Sequence, residues 1–166
     1  MYAIVAVTEN WGIGKDNHLL FRISADLKRF KELTRGHTVI MGRKTLESLP
    51  GGKGLPERRN IVLTSDKDFT AENAEVAHTL MSAVFTANDA EAFVIGGESV
   101  YRAFLPVCDR VYVTRIFASA EADAFFPNLD ELPDWRVEQE SEIMEENGIR
   151  FRYVDYVRVP DEDYTI

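Results

Sequence analysis

The sequence predicts an α/β fold: a central mixed, mostly parallel β-sheet of about eight strands, about four flanking helices and an antiparallel C-terminal edge. Three observations carry this. Short apolar runs alternate with helical patterns over the first two thirds of the chain. One run, Ala92-Phe93-Val94-Ile95, is apolar throughout, as in a parallel strand buried on both faces. The closing segment holds two alternating runs about Glu145-Glu146-Asn147-Gly148, a hairpin-turn signal.

Residues 2–7 are apolar and partly β-branched, and read as a buried strand. Asn10 to Asn17 contains Gly12 and Gly14 and reads as a loop. A helix is expected from Ser24, whose hydroxyl can cap first-turn amides, with Asp26 where the helix dipole favours negative charge. Leu27, Phe30 and Thr34 follow at helical spacing, and Gly36 stops the helix. Thr38–Met41 is a strand ended by Gly42, and a short helix runs through Thr45 to Leu49. Pro50–Gly54 is an exposed turn and Asn60–Thr64 a strand, followed by a weak strand at Ala74–Ala77 and a helix over Thr79–Ala87. The Ala92–Ile95 strand runs through Gly96-Gly97 into a helix over Glu98–Leu105. Arg110–Ile116, Trp135–Ile143 and Ile149–Val159 alternate as strands.

The chain has 166 residues, 45% hydrophobic and 28% charged, which fits a single domain over residues 1–160 that needs no metal or disulfide staple. The acidic residues 161–166, after Pro160, are expected to fray. The lone Cys108 follows an apolar run and reads as a small buried residue. No secretory signal opens the chain and no apolar stretch approaches the roughly 20 residues of a membrane span, so a cytoplasmic protein without a membrane partner is expected. The net charge of -9 argues against nucleic acid. The charge is uneven, however: residues 1–67 carry 12 Lys/Arg against 7 Asp/Glu, and residues 68–166 carry 7 against 21. A compact anion could bind the basic first portion, and simple solvation of surface faces explains the same counts.

In open α/β sheets ligands bind outside the carboxyl ends of the strands, so the strand-to-helix junctions are the places to search. Gly42-Arg43-Lys44-Thr45 sets two cations and a hydroxyl at a helix start, where open amides and the helix dipole also favour an anion. Gly96-Gly97-Glu98-Ser99 joins a buried strand to a helix through residues that let a ligand approach the backbone. Each junction alone is more often just a turn. Asp26 is more unusual. A first-turn aspartate commonly only stabilises its helix, but Phe30 shares its face one turn on. A carboxylate beside an aromatic in an apolar pocket gains a raised pKa and suits a planar ligand. His18, His37 and His78 are not spaced as metal ligands, and no metal site is expected.

These residues resemble the bacterial dihydrofolate reductase family. Ala6-Val7, Ile13-Gly14, Ala25-Asp26-Leu27, Phe30, Val39-Ile40-Met41-Gly42-Arg43-Lys44-Thr45, Glu47-Ser48, Leu55-Pro56, Arg58, Asn60, Val94-Ile95-Gly96-Gly97, Val100-Tyr101, Asp123 and Phe126-Pro127 occur in order over about residues 1–158. The resemblance implies the dihydrofolate-reductase-like fold and reduction of 7,8-dihydrofolate to tetrahydrofolate by NADPH, in support of one-carbon metabolism. Asp26 would bond the pterin amino group and adjacent ring nitrogen, with Thr114 supporting it. Ala6, Leu27, Phe30, Leu49 and Ile95 would line the pocket. Arg58 would clamp the substrate's glutamate carboxylate.

The cofactor would fall to Ala6, Ile13, Gly14, Gly42, Arg43, Lys44, Thr45, Leu63, Thr64, Ser65, Gly96, Gly97, Glu98, Ser99, Val100 and Tyr101. Arg43, Thr64 and Ser65 would surround its 2′-phosphate, and Tyr101 would lie near the nicotinamide. The Gly96–Gly97 peptide would be cis, and Gly12–His18 a lid over the nicotinamide. Antifolate inhibitors and a monomeric state are also implied. The family usually has Pro-Trp where this chain has Leu20-Phe21, so Phe21 keeps the aromatic bulk of a catalytic-site residue without an indole N–H. A pyrimidine reductase shares the fold and cofactor, but Ala25-Asp26-Leu27, Phe30 and Arg58 disfavour it. A module that only binds nucleotide would have no need of Asp26.

Overall fold

A computed structural model describes residues 1–160. The fraying expected of residues 161–166 lies outside the described residues. The strands are β1 (Tyr2–Val7), β2 (Gly12–Lys15), β3 (His18–Leu19), β4 (Thr38–Gly42), β5 (Arg59–Leu63), β6 (Glu75–Ala77), β7 (Phe93–Gly96), β8 (Arg110–Ile116), β9 (Ala124–Phe125), β10 (Trp135–Glu140), β11 (Met144–Glu146) and β12 (Ile149–Arg158). The helices are α1 (Ser24–Thr34), α2 (Arg43–Ser48), α3 (Leu80–Ala87) and α4 (Glu98–Phe104).

The main sheet runs β10-β12-β8-β1-β7-β4-β5-β6, with β11 paired to β12 outside that path. Every pairing from β8 to β6 is parallel, and the pairings made by β12 are antiparallel. The mixed sheet with an antiparallel C-terminal edge is therefore as the sequence predicts. Asn147 (φ 51) and Gly148 (φ 80) make the tight turn of the β11–β12 hairpin, both in the left-handed region.

Alternation along the strands divides the core into two layers. Val5 and Val7 of β1, Ile40 of β4 and Val94 of β7 pack with Ala83 and Ala87 of α3 and Val100, Tyr101 and Phe104 of α4. Ile4, Val39, Met41 and Phe93 point the other way, toward Phe30 and Leu33 of α1 and Leu46 of α2. The central strands thus bury both faces, which is why their sequences are apolar throughout. Cys108 is buried in the first layer, and burial pushes its thiol up to about 12, which suits an inert packing residue.

Three expectations need correction. The stretch 10–17 is not simply a loop: β2 pairs β3 and β9 in a small three-stranded sheet. Each of these strands is too short to give a period-2 signal, and its partner β9 lies about a hundred residues away. The strand expected over Trp135–Ile143 ends at Glu140, and Glu145 and Glu146, expected in the turn, belong to the separate strand β11, so that the turn narrows to Asn147-Gly148. The third correction concerns Ser24, which does not cap α1. The N-cap position is Ile23, without a side-chain bond. The amides of Ser24 and Ala25 donate instead to Glu146 Oε2 (2.6 Å) and Oε1 (3.1 Å), reaching in from the β11–β12 hairpin. A carboxylate satisfies first-turn amides and the helix dipole more strongly than a hydroxyl does.

Candidate active site

The parallel strands end on one side of the sheet in a cleft of about 180 Å³, between the 12–19 segment and the β7–α4 junction. Its lining includes Ala6, Ile13, Gly14, Thr45, Ile95, Gly96, Gly97, Glu98 and Tyr101, all expected site residues. A broader hollow of about 380 Å³ is lined by Met1, Val84, Asn88, Asp89, Ala90 and Val107. It lies before β1, β7 and β8, at their amino ends, and among the described residues Asp89 is its only charged side chain. The carboxyl-end cleft is the one that has chemistry around it.

Asp26 sits half-buried in the first turn of α1. Thr114 faces it from β8, since alternation turns Val111 and Val113 toward the other layer. The Thr114 hydroxyl donates to Asp26 Oδ1 at 2.5 Å. Burial raises the Asp26 pKa above its ordinary value, while the Thr114 bond and the nearby Arg29 guanidinium pull against it. A second carboxylate is also largely buried: Asp155 is 17% exposed, between Arg29 (3.4 Å) and Arg110 (3.6 Å). Its strand, β12, pairs only on tertiary folding, so the sequence carried no sign of these partners.

Ala6 pairs with Thr114 across β1 and β8. It packs with Phe21, Ala118, Met144, Ile149 and Tyr153 around Ile23, Ile116 and Phe151. Phe30, Leu49 and Ile95 belong to the neighbouring apolar cluster on the α1 face. Leu27, next to Asp26, is half-buried on the same helix.

Arg58 lies just before β5, where Gly36 N–H donates to Glu57 O beside the end of α1. It is 9% exposed, and its Nε has no hydrogen-bond partner among the described residues. Burial lowers its pKa, and no ion pair holds it among the described residues. A buried guanidinium left unpaired is costly, and a carboxylate ligand would relieve that cost. Asp26 opens α1 and Arg58 lies beyond its end, so the two are separated by on the order of 13 Å along the helix.

The two glycine junctions meet in one wall. A Cβ on Gly42 would come within 3.0 Å of Val100 Cγ2. A Cβ on Gly96, where φ is +132°, would lie 3.4 Å from Thr45 Oγ1. The Gly96–Gly97 peptide is cis. Neither α2 nor α4 has a side-chain cap, so Arg43, Lys44 and Thr45 on one side, and Glu98, Ser99 and Val100 on the other, flank open first-turn amides. These features fit a phosphate-bearing cofactor laid across the wall. Leu63, Thr64 and Ser65 follow at the carboxyl end of β5, next to Gly42 in the β4–β5 register. Tyr101 is buried, its pKa raised by that burial, and its hydroxyl donates to Ile4 O at 2.7 Å.

The cleft also takes in Asn17 and His18 of the expected lid, and Val5, Leu19, Ser48 and Ala124, to which the sequence reading gave no role. Asn17 Nδ2 donates to Lys44 O at 2.9 Å, and Asp16 N–H to Asp123 Oδ2 at 3.0 Å. These bonds lay the β2–β3 hairpin over the cleft. Its positive-φ pair, Asp16 and Asn17, is the one local signal that could have marked it as a hairpin.

Residues 1–158 match the sequence model of a family described as dihydrofolate reductase. A dihydrofolate reductase of Staphylococcus haemolyticus is 43% identical over 148 residues, 89% of this chain and 84% of that protein. One from Neisseria meningitidis serogroup B is 39% identical over 156 residues, 93% and 96% of the two chains. The structure of a dihydrofolate reductase from Enterococcus faecalis, complexed with NADP(H) and a compound named RAB-propyl, superposes with a TM-score of 0.86. It shares 35% identity and covers 95% of each chain.

Proposed function

The chain belongs to the dihydrofolate reductase family, and on that premise we propose how its own side chains conduct the reaction. The enzyme reduces 7,8-dihydrofolate to 5,6,7,8-tetrahydrofolate with NADPH. When bound, NADPH supplies the hydride that reaches carbon 6 of the pterin. Asp26 holds the pterin amino group and adjacent ring nitrogen, and its negative charge favours the protonated, more electrophilic ring. Thr114 keeps that carboxylate oriented and partly offsets the burial that would neutralise it. The proton for nitrogen 5 comes from water, because Asp26 bonds a different edge of the ring.

Ala6, Leu27, Phe30, Leu49 and Ile95 exclude water around the ring, and Phe21 closes the pocket edge without donating a hydrogen bond. Arg58 takes the glutamate carboxylate. Arg43, Lys44, Thr45, Thr64, Ser65 and the Gly42 and Gly96–Ser99 turns hold the cofactor phosphates. Ile13, Gly14, Leu63, Val100 and Tyr101 pack the remaining cofactor surface, and the 12–19 hairpin covers the nicotinamide. Antifolates are proposed to occupy the pterin pocket. One chain carries both the pterin and cofactor residues, which supports a monomeric working unit. No described helix is long and apolar enough to cross a membrane, and a cytoplasmic site of action is proposed.

The observation that carries this reading is the placement of Asp26, and of Arg58 with no ion-pair partner among the described residues, at opposite ends of α1, a match for a ligand with a planar ring and a distant carboxylate. Following NADPH absorbance with dihydrofolate tests it, with turnover expected. Turnover only with a ribosylamino-pyrimidine would make the chain a pyrimidine reductase. Cofactor binding without either turnover would make it a nucleotide-binding module.

A further inference from the structure

The rim assigned to the cofactor's 2′-phosphate holds an acid as well as a base. Arg43 Nε donates to Glu47 Oε1 at 2.9 Å, one turn further along α2. Arg43 Nη1 donates to Asp66 Oδ2 at 3.1 Å. The guanidinium also lies 4.9 Å from the ring centre of Phe69. Asp66 is held on its own side: its N–H donates to Thr64 Oγ1 (3.2 Å) and its Oδ1 accepts from Asp68 N–H (3.0 Å). Asp66 therefore sits in the loop that carries Thr64 and Ser65, with its carboxylate turned to Arg43.

In dinucleotide sites a carboxylate at the ribose receives the 2′-hydroxyl, whereas an arginine receives a 2′-phosphate. This chain has both groups on one rim, bonded to each other. Glu47 belongs to the helix that carries Arg43 and orients the guanidinium. Asp66 comes from the phosphate-subsite loop, so a 2′-phosphate must displace it from Arg43 or accept its negative charge nearby. A 2′-hydroxyl imposes neither cost and can donate to Asp66. We propose that Asp66 is a specificity-determining residue that weakens the preference for a 2′-phosphorylated nicotinamide cofactor, so that the enzyme also works with NADH. The inference rests on the proposed cofactor placement at Arg43, Thr64 and Ser65.

The test compares the whole chain with Asp66→Asn and Asp66→Ala by isothermal titration calorimetry, using 2′,5′-ADP and 5′-AMP, which differ only in the 2′-phosphate. Both variants should bind 2′,5′-ADP about three- to fivefold more tightly relative to 5′-AMP, the scale of an exposed charge contact. The NADPH-to-NADH ratio of kcat/KM should rise by a similar factor. A ratio that stays constant or falls in both variants overturns the role of Asp66, the cofactor placement remaining sound if Arg43→Ala still loses affinity for 2′,5′-ADP. If Arg43→Ala binds 2′,5′-ADP as the parent does, the placement fails and this inference fails with it.

Discussion

Thr114 of β8 donates its hydroxyl to Asp26 of α1 at 2.5 Å, across 88 residues of sequence. The bond stabilises the charged carboxylate in surroundings that disfavour charge, so the two residues set the ionisation of the site together.

Thr114→Val removes that donor while keeping the shape of the side chain. The Asp26 pKa should move further up, because the hydroxyl bond is one of the two influences that lower it. A hydrogen bond to a charged group contributes about 1.5–3 kcal/mol, so hydride transfer at neutral pH should fall by about tenfold or more. The pH profile of pre-steady-state hydride transfer reads both effects. An unchanged profile would reduce Thr114 to a strand residue.

Asp26→Asn should spare NADPH binding and lower hydride transfer at neutral pH by about two orders of magnitude, since an amide cannot carry the charge that favours ring protonation. The stability effect has the opposite sense. Burial raises the folded-state pKa of Asp26, so the stability contributed by its protonated form is complete below the unfolded value and lost as pH rises through the folded one. The asparagine variant cannot ionise. Its Tm advantage should be absent near about pH 4 and grow toward neutrality, and calorimetry across that range measures it. Wild-type turnover in this variant at neutral pH would refute the role given to Asp26.

Arg58→Leu should weaken dihydrofolate by about a hundredfold, as expected for losing one partner of a buried charge pair. A pterin lacking the glutamate tail should lose little. Equal losses for the two ligands, measured by fluorescence titration, would remove the clamp assignment.

Phe21→Trp restores an indole donor at the edge of the cluster that includes Ala6 and Tyr153. The pH–rate profile should shift, because a new donor beside the pterin pocket rearranges the water that reaches the ring. Identical profiles in parent and variant would show that position 21 contributes bulk alone.

Glu146→Ala strips α1 of the carboxylate that holds its first two amides. Loss of a helix cap costs about 0.5–2 kcal/mol, or roughly 2–4 °C of Tm per kcal/mol in a domain of this size. Glu146→Gln can still accept one of the two bonds and should recover part of the loss in a thermal melt. A melt unchanged by Glu146→Ala would mean that water caps the helix equally well.

Much of the framework was legible because its causes are local. Ala92–Ile95 is apolar over its whole length, so it had to be a strand covered on both faces, and β7 is one. Asn147-Gly148 needs a left-handed pair and turns a hairpin as expected. Asp26 and the two glycine junctions stood out by residue type and position, and the resemblance carried by the order of the surrounding motifs gave them, and Arg58, their expected roles. The β2–β3 hairpin escaped notice because two- and four-residue strands carry no usable periodicity. Ser24 looked like a cap because serine caps helices well, but the helix starts one residue earlier, with Ile23 at the cap position, and an incoming carboxylate takes the amides of Ser24 and Ala25.

The sequence by itself determined the order of the four helices and the longer strands, the α/β class, the family and the chemical types at the site, since each depends on neighbours within a turn, a strand or a short motif. Only the tertiary structure decided which groups meet. It brought Thr114 to Asp26, Glu146 to the start of α1, Asp66 to Arg43 and the two glycine junctions into one wall. Those partners lie far apart along the chain. Their meeting depends on strand order and on packing of both sheet faces, which arise when the whole core buries its apolar surface at once.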